Sequence, residues 1–265
     1  MNEDFGPPQE IVVVVPVHNE ERLLARCLGS VQAAARHLTK RVGVTARLVV
    51  VLDDCTDRSE EIAAAHHAET VHISRRSVGA ARAAGVDHIV RTTAVTRVWI
   101  ACTDADSRVP IGWLLAQSRQ AAAGADLVLG RARLDPADVS IAVYRRWARR
   151  YAEGGTSHHI HGANLGVSLA AYWRVGGFAD LEEHEDVDLV GRLREVGARV
   201  APVPDVLTSG RLDGRTPGGF AGFLRHLGVA SEPRRIDPPH GLRPEPVIDA
   251  PEHRLRTGGH PDTRV

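Results

Sequence analysis

The sequence predicts an α/β fold, a mostly parallel sheet flanked by helices in a single domain. Three observations predict it. Through the first half of the chain short β-branched runs alternate with helical periodicity, the order that builds parallel strands joined by right-handed crossovers. The first run, Ile11 to Val15, is uninterrupted, as in a strand buried on both faces. Asp53, Asp54, Asp104 and Asp106 all fall where a run has just ended, and open α/β sheets bind ligands at those carboxyl ends.

Taken in order, Pro16 is expected to stop the first strand because it has no N–H to give. Glu20 to Leu38 then places Leu23, Leu24, Cys27, Leu28, Val31 and Ala35 at helical spacing, with His18 or Asn19 as the cap. Strand Arg47 to Leu52, helix Arg58 to His66, short strand Thr70 to Ile73, helix Val78 to Val90 and strand Arg97 to Cys102 follow. A helix over 110–123, opened by Pro110, and a strand at Leu127 to Leu129 continue the rhythm. From about Ala137 the pattern changes to a longer helix with Tyr144, Trp147 and Tyr151. A Gly/His-rich stretch, a Gly176-Gly177 turn and a helix at Val187 to Val196 come next. The expected organisation is a lead over 1–10, one domain over 11–230 with a first half at 11–131 and a second half at 132–230, and a tail over 231–265. The tail is rich in Pro, Arg, His and Gly and too poor in apolar residues to order itself.

Composition narrows the function classes. With 33 basic and 33 acidic residues the chain is neutral overall, so nothing favours nucleic acid as a partner. Cys27, Cys55 and Cys102 are odd in number and lack metal-ligand spacing, which argues against a disulfide framework and for a reducing cytoplasmic setting. The start of the chain lacks the basic residues and longer apolar stretch of a signal peptide. No run approaches the roughly 20 apolar residues of a membrane span, so any membrane contact is expected to be peripheral.

The chemistry-bearing residues stand in loops after strands. Asp104 and Asp106 follow Val98 to Cys102, and paired carboxylates there suit Mg²⁺ or Mn²⁺ completed by substrate phosphate; helix or turn capping is the competing reading. Asp53 or Asp54 can accept hydrogen bonds from the edge of a base, whereas Asp57 reads as a cap for the next helix. Arg75, Arg76 and Arg82, around Gly79, offer cations and backbone amides to a diphosphate, with a solvated basic face as the alternative. Asp186 opens a helix with Asp188, and Arg192, four residues on, can pair with Asp188. His158, His159 and His161 lack a carboxylate or cysteine at ligand spacing and read as exposed polar residues.

Four segments, Val15-Pro16-Val17-His18-Asn19-Glu20-Glu21, Asp53-Asp54-Cys55-Thr56-Asp57, Asp104-Ala105-Asp106 and Glu185-Asp186-Val187-Asp188-Leu189, stand in the order and spacing of family-2 glycosyltransferases. The resemblance covers about residues 10 to 210, and four ordered motifs are far more specific than any one. It implies the GT-A type of Rossmann-like fold and a nucleotide-diphosphate sugar as donor. It also implies a nucleotide held by Pro16, His18, Glu20 and Asp53, with Asp104 near the ribose and Asp106 on Mn²⁺ or Mg²⁺. The aspartate of the Glu-Asp pair, here Asp186, is then the base of an inverting displacement. Gly162-Ala163-Asn164 resembles the family's acceptor-side segment, which puts Asn164, with Glu185, beside the acceptor. The family often carries an aromatic residue where this chain has His18. Uridine is the expected base, and the acceptor is a small molecule, a lipid-linked chain or a polysaccharide.

Other classes fit less well. A dinucleotide dehydrogenase needs a Gly-rich first turn, which Pro16 to Glu20 does not supply. A nucleotidyltransferase would carry a Gly-rich basic loop at the same place. An inactive sugar-nucleotide binding protein would bind donor without transfer, and Asp186 beside Asp104 and Asp106 favours the enzyme.

Overall fold

The computed structural model describes residues 6–153, 160–181 and 183–211. The chain divides into two units, Met1–Glu232 and Pro233–Val265, and every described residue lies in the first. The expected tail over 231–265, and His158 and His159, lie outside the described residues.

The first half follows the predicted alternation: β1 (Glu10–Val17), α1 (Leu24–Val42), β2 (Thr45–Asp53), α2 (Ser59–Ala65), β3 (Glu69–Ile73), α3 (Val78–Thr92) and β4 (Val98–Cys102). These strands pair in parallel in the order β3-β2-β1-β4. Val12 and Val14 of β1 pack on one face with Val86 and Ile89 of α3, while Ile11, Val13 and Val15 pack on the other with Leu28 and Val31 of α1. An uninterrupted valine run is what two covered faces demand, and each such side chain contributes roughly 1.5–3 kcal/mol on burial.

Two expectations near the first turn are corrected. Pro16 does not end β1, which pairs with β2 as far as Val17 opposite Leu52. Pairing with β4 ends at Val14 opposite Cys102. Val14 turns its carbonyl toward that side, accepting from Thr103 N–H at 3.3 Å. Pro16 has the same parity, so its missing N–H falls where β4 has already departed. The helix expected from Glu20 begins at Leu24, and its first turn has no side-chain cap. Asn19 instead takes a left-handed conformation, φ 55°, and its side-chain oxygen accepts from Thr56 N–H at 2.7 Å.

The second half is less regular: β5 (Ser107–Arg108), α4 (Trp113–Ala122), β6 (Leu127–Leu129), β7 (Ala132–Leu134), α5 (Ile141–Glu153), β8 (Leu165–Ser168), α6 (Leu169–Arg174), α7 (Glu185–Glu195), β9 (Val200–Pro202) and β10 (Val206–Thr208). The main sheet runs β3-β2-β1-β4-β8-β6-β9, with β8 antiparallel to β4 and β6. A small second sheet, β5-β10-β7, stands at the carboxyl end of β4. Gly166 lets β8 fit, because a Cβ there would meet the side chains of Gln117 and Trp99. Those two are themselves joined by a bond from Trp99 Nε1 to Gln117 Oε1 at 2.7 Å.

Candidate active site

The carboxyl ends of β1, β2 and β4 open toward one another, and two ion clusters form there. In the first, Arg82 of α3 is 3% exposed. One of its terminal nitrogens donates to Asp104 Oδ1 at 2.7 Å and the other to Glu185 Oε1. Burial works against the charge of Arg82, and Asp104 and Glu185 more than offset it. Burial likewise raises the Glu185 carboxyl, with Arg82 pulling it back down. Next to Glu185, Asp186 Oδ2 accepts from Gly162 N–H at 2.6 Å. Gly162 leaves room for the Arg82 guanidinium, which a Cβ there would meet.

The second cluster is centred on Arg211, just after β10. Arg211 donates to both oxygens of Glu20, at 2.8 and 2.5 Å, and lies 3.2 Å from Asp106 Oδ2. Glu20 is 4% exposed. Burial pushes the Asp106 carboxyl up to about 6, with Arg211 opposing the shift and Asp104 and Glu20 adding to it. Ser107 and Thr208 are register partners between β5 and β10, which carries Arg211 past Asp106. The surroundings are net negative: Glu20, Asp104, Asp106, Glu185 and Asp186 face Arg82 and Arg211.

The structure thus brings Glu20, Arg82, Asp104, Asp106, Glu185 and Asp186 together. It gives other predicted residues different work. Asp53 is 2% exposed, and its carboxylate accepts from the backbone N–H groups of Arg75, Arg76 and Ser77 at 2.7–2.8 Å. It therefore ties the loop before α3 to β2. Asp54, half-buried in a left-handed conformation, accepts from Arg76 Nε at 2.5 Å at the rim. Pro16 is buried inside β1, so no ring face is offered to a ligand. His18 is half-buried, its Nδ1 2.6 Å from the Asp53 carbonyl oxygen. Asn164 is fully buried; its oxygen accepts from Trp113 Nε1 at 2.8 Å and its amide donates to the carbonyls of Arg131 and Pro204 at 3.1 and 2.9 Å. It braces the wall between β6, β7 and β10 from within and does not present its amide to an acceptor. Asp188 and Arg192 pair as expected, at 2.5 Å.

Arg211 was not legible as a site residue. A lone arginine after the short run Val206 to Thr208 carries no pattern, and only the β5–β10 pairing places it beside Asp106.

The family model for glycosyl transferase family 2 matches residues 12–174, more than half of the chain. The chain belongs to glycosyl transferase family 2. The match spans the Asp53-Asp54 and Asp104-Asp106 segments and ends before Glu185, so only the part of the chain after Arg174 lies beyond it. Solved structures are similar across the fold. The mannosyltransferase PcManGT from Pyrobaculum calidifontis, in complex with GDP-Man and Mn²⁺, is 18% identical with a TM-score of 0.56, covering 80% of this chain and 61% of that one. S. aureus TarS 1-349 in complex with UDP-GlcNAc is 15% identical, TM-score 0.56, with the same two coverages. Glucosyl-3-phosphoglycerate synthase from Mycobacterium tuberculosis, in complex with Mn²⁺, UDP and phosphoglyceric acid, is 20% identical, TM-score 0.54, covering 84% of this chain and 80% of that one. The chain therefore spans about three fifths of the length of the first two structures, and the likeness establishes the GT-A fold. No curated protein matches it in sequence. Among the described residues no helix is long and apolar enough to cross a membrane.

Proposed function

We propose that the chain transfers a sugar from a nucleotide-diphosphate donor to an acceptor hydroxyl, with inversion at the anomeric carbon. The observation that carries this reading is Arg82, which joins Asp104 after β4 to Glu185 at the start of α7 and so sets the donor-side carboxylates beside Asp186. The GDP-Man, UDP-GlcNAc and UDP bound to the similar structures support a nucleotide donor. Uridine remains the favoured base, read at the rim by Asp54 and Arg76 in place of the enclosed Asp53.

The chemistry asks for stabilisation of a leaving diphosphate and removal of a proton from the acceptor. Among the described residues no three His, Cys, Asp or Glu side chains form a metal site by themselves. The donor set nevertheless fits a hard divalent cation such as Mn²⁺ or Mg²⁺, which takes one or two carboxylates and draws the rest from phosphate; the net negative surroundings fit it too. Asp104 and Asp106 would hold it, and it would supply Lewis-acid neutralisation of the diphosphate. Arg82 adds a fixed positive charge around the same place, and Arg211 a second cation. Asp186 takes the proton from the acceptor hydroxyl, and Glu185, locked by Arg82, fixes the turn from which Asp186 projects.

A thermal-shift panel of UDP-, GDP- and dTDP-sugars with and without Mn²⁺ tests the reading. A ligand bound only by the folded chain stabilises it by about 2.7 kcal/mol at 100 times Kd. At least one sugar nucleotide should raise Tm by several degrees with Mn²⁺ present. A panel in which none moves Tm would sink the proposal.

A further inference from the structure

The two arginines of the site are held differently. Arg82 stands on a helix packed against the sheet, whereas Arg211 reaches in from the segment after β10. Its grip on Glu20 uses both carboxylate oxygens, while its approach to Asp106 is a single longer contact at 3.2 Å. The guanidinium thereby lies against one of the two carboxylates that a divalent cation would need, and no third protein ligand stands near enough to complete a metal site among the described residues.

We propose that Arg211 fills the cation position of the donor-free chain, so that a divalent metal enters only together with a diphosphate. The inference rests on the sugar-nucleotide reading above. A guanidinium and a metal ion compete for the same Asp106 oxygen, and two positive charges held that close repel each other in a half-buried pocket. With only Asp104 and Asp106 to offer, the protein alone is a poor ligand set for a hard cation. A diphosphate changes both terms at once. Its oxygens complete the metal's shell, and they present the paired acceptors that a guanidinium fork prefers. Arg211 leaves Asp106 while Glu20 keeps hold of it, which makes Glu20 the pivot and explains why a carboxylate is buried there.

The test is a Mn²⁺ titration of the full chain, reading free Mn²⁺ by electron paramagnetic resonance, alone and with UDP or inorganic pyrophosphate. Wild type should bind Mn²⁺ at least tenfold more tightly with either diphosphate than without. Arg211→Gln should bind Mn²⁺ alone at least tenfold more tightly than wild type. The double variant Glu20→Gln/Arg211→Gln removes one charge of each sign, so Glu20 is not left as an unpaired buried carboxylate. It should show the same gain if occupancy rather than net charge is the cause. Equal binding of Mn²⁺ alone by wild type and the double variant, or a wild type indifferent to UDP and pyrophosphate, would overturn the proposal. A chain that shows both contrasts yet transfers no sugar would uphold the role of Arg211 and count only against the donor reading.

Discussion

Asp186 spends one oxygen on Gly162 N–H at 2.6 Å and the other on Val187 N–H at 2.8 Å. Each carboxylate oxygen has a second lone pair, so both bonds can persist while an acceptor hydroxyl approaches. The same bonds give the side chain one orientation, which a base needs more than freedom. Asp186→Asn keeps an oxygen for Gly162 N–H and removes the proton acceptor. Donor binding measured by calorimetry should stay within about threefold while kcat falls about 10²- to 10⁴-fold. Normal turnover in that variant would give the base role to another residue. Asp53 makes the complementary point, since sequence marks it as strongly as Asp104. Only the three N–H groups of Arg75, Arg76 and Ser77 reveal that its carboxylate holds a loop. A motif shows which residue types gather at a strand end, and the backbone decides which of them still faces outward.

Helix α3 links the two tasks of this fold, since it covers the sheet and also delivers Arg82. Its close fit depends on Gly85, where a Cβ would lie 2.6 Å from Val14 Cγ1 and 3.1 Å from Val51 Cγ2. Both valines are fully buried in central strands and have nowhere to go. Gly85→Ala must push the helix off the sheet, at a cost of about 1–3 kcal/mol for overpacking, and Tm should fall by several degrees. The shift also draws Arg82 from Asp104 and Glu185, so activity measured below Tm should fall as well. An unchanged Tm would show that the sheet yields there easily. The elements of the first half were legible because their runs are long and both faces of the sheet are covered. Strands β5, β7, β8, β9 and β10 were not: each has two to four residues, and unlike the equally short β6 they do not continue the strand-helix alternation of the first half. Their pairing depends on contacts distant in sequence, such as Leu165 opposite Cys102. The site divides in the same way: Asp104 and Asp106 could be read from the strand before them, while Arg211 depends on β10.

At the scale of the whole molecule the sheet has one end that works and one that holds. At the amino-terminal ends of its strands Arg47 donates to Glu69 at 2.7 and 2.6 Å and to Thr92 of α3 at 2.8 Å, and approaches Glu10 at 3.5 Å; His88 completes the network, 2.8 Å from Glu69. These bonds join β1, β2, β3 and α3 at the end opposite the carboxylates of the site. The hydrogen bond from Arg47 is the main cause that lowers the Glu69 carboxyl from its ordinary 4.5 to about 2; partial burial opposes it and His88 adds to it. A carboxylate whose folded-state pKa is depressed stabilises the fold fully above its unfolded pKa, and that stabilisation is lost as pH falls through the folded value. The relevant window therefore runs from about 4.5 down to about 2. Glu69→Gln should lower Tm at pH 7, and the gap from wild type should narrow through pH 4 and close near pH 2. Glu69 remains partly open to solvent, so screening limits the gap and 1 M salt should shrink it further. Sugar transfer at pH 7, measured well below Tm, should be unchanged, because nothing in this network touches the carboxyl end. A gap that stayed constant from pH 7 to pH 2 would show that the Glu69 charge contributes nothing, and a fall in transfer without a fall in Tm would show that the two ends are coupled through the sheet.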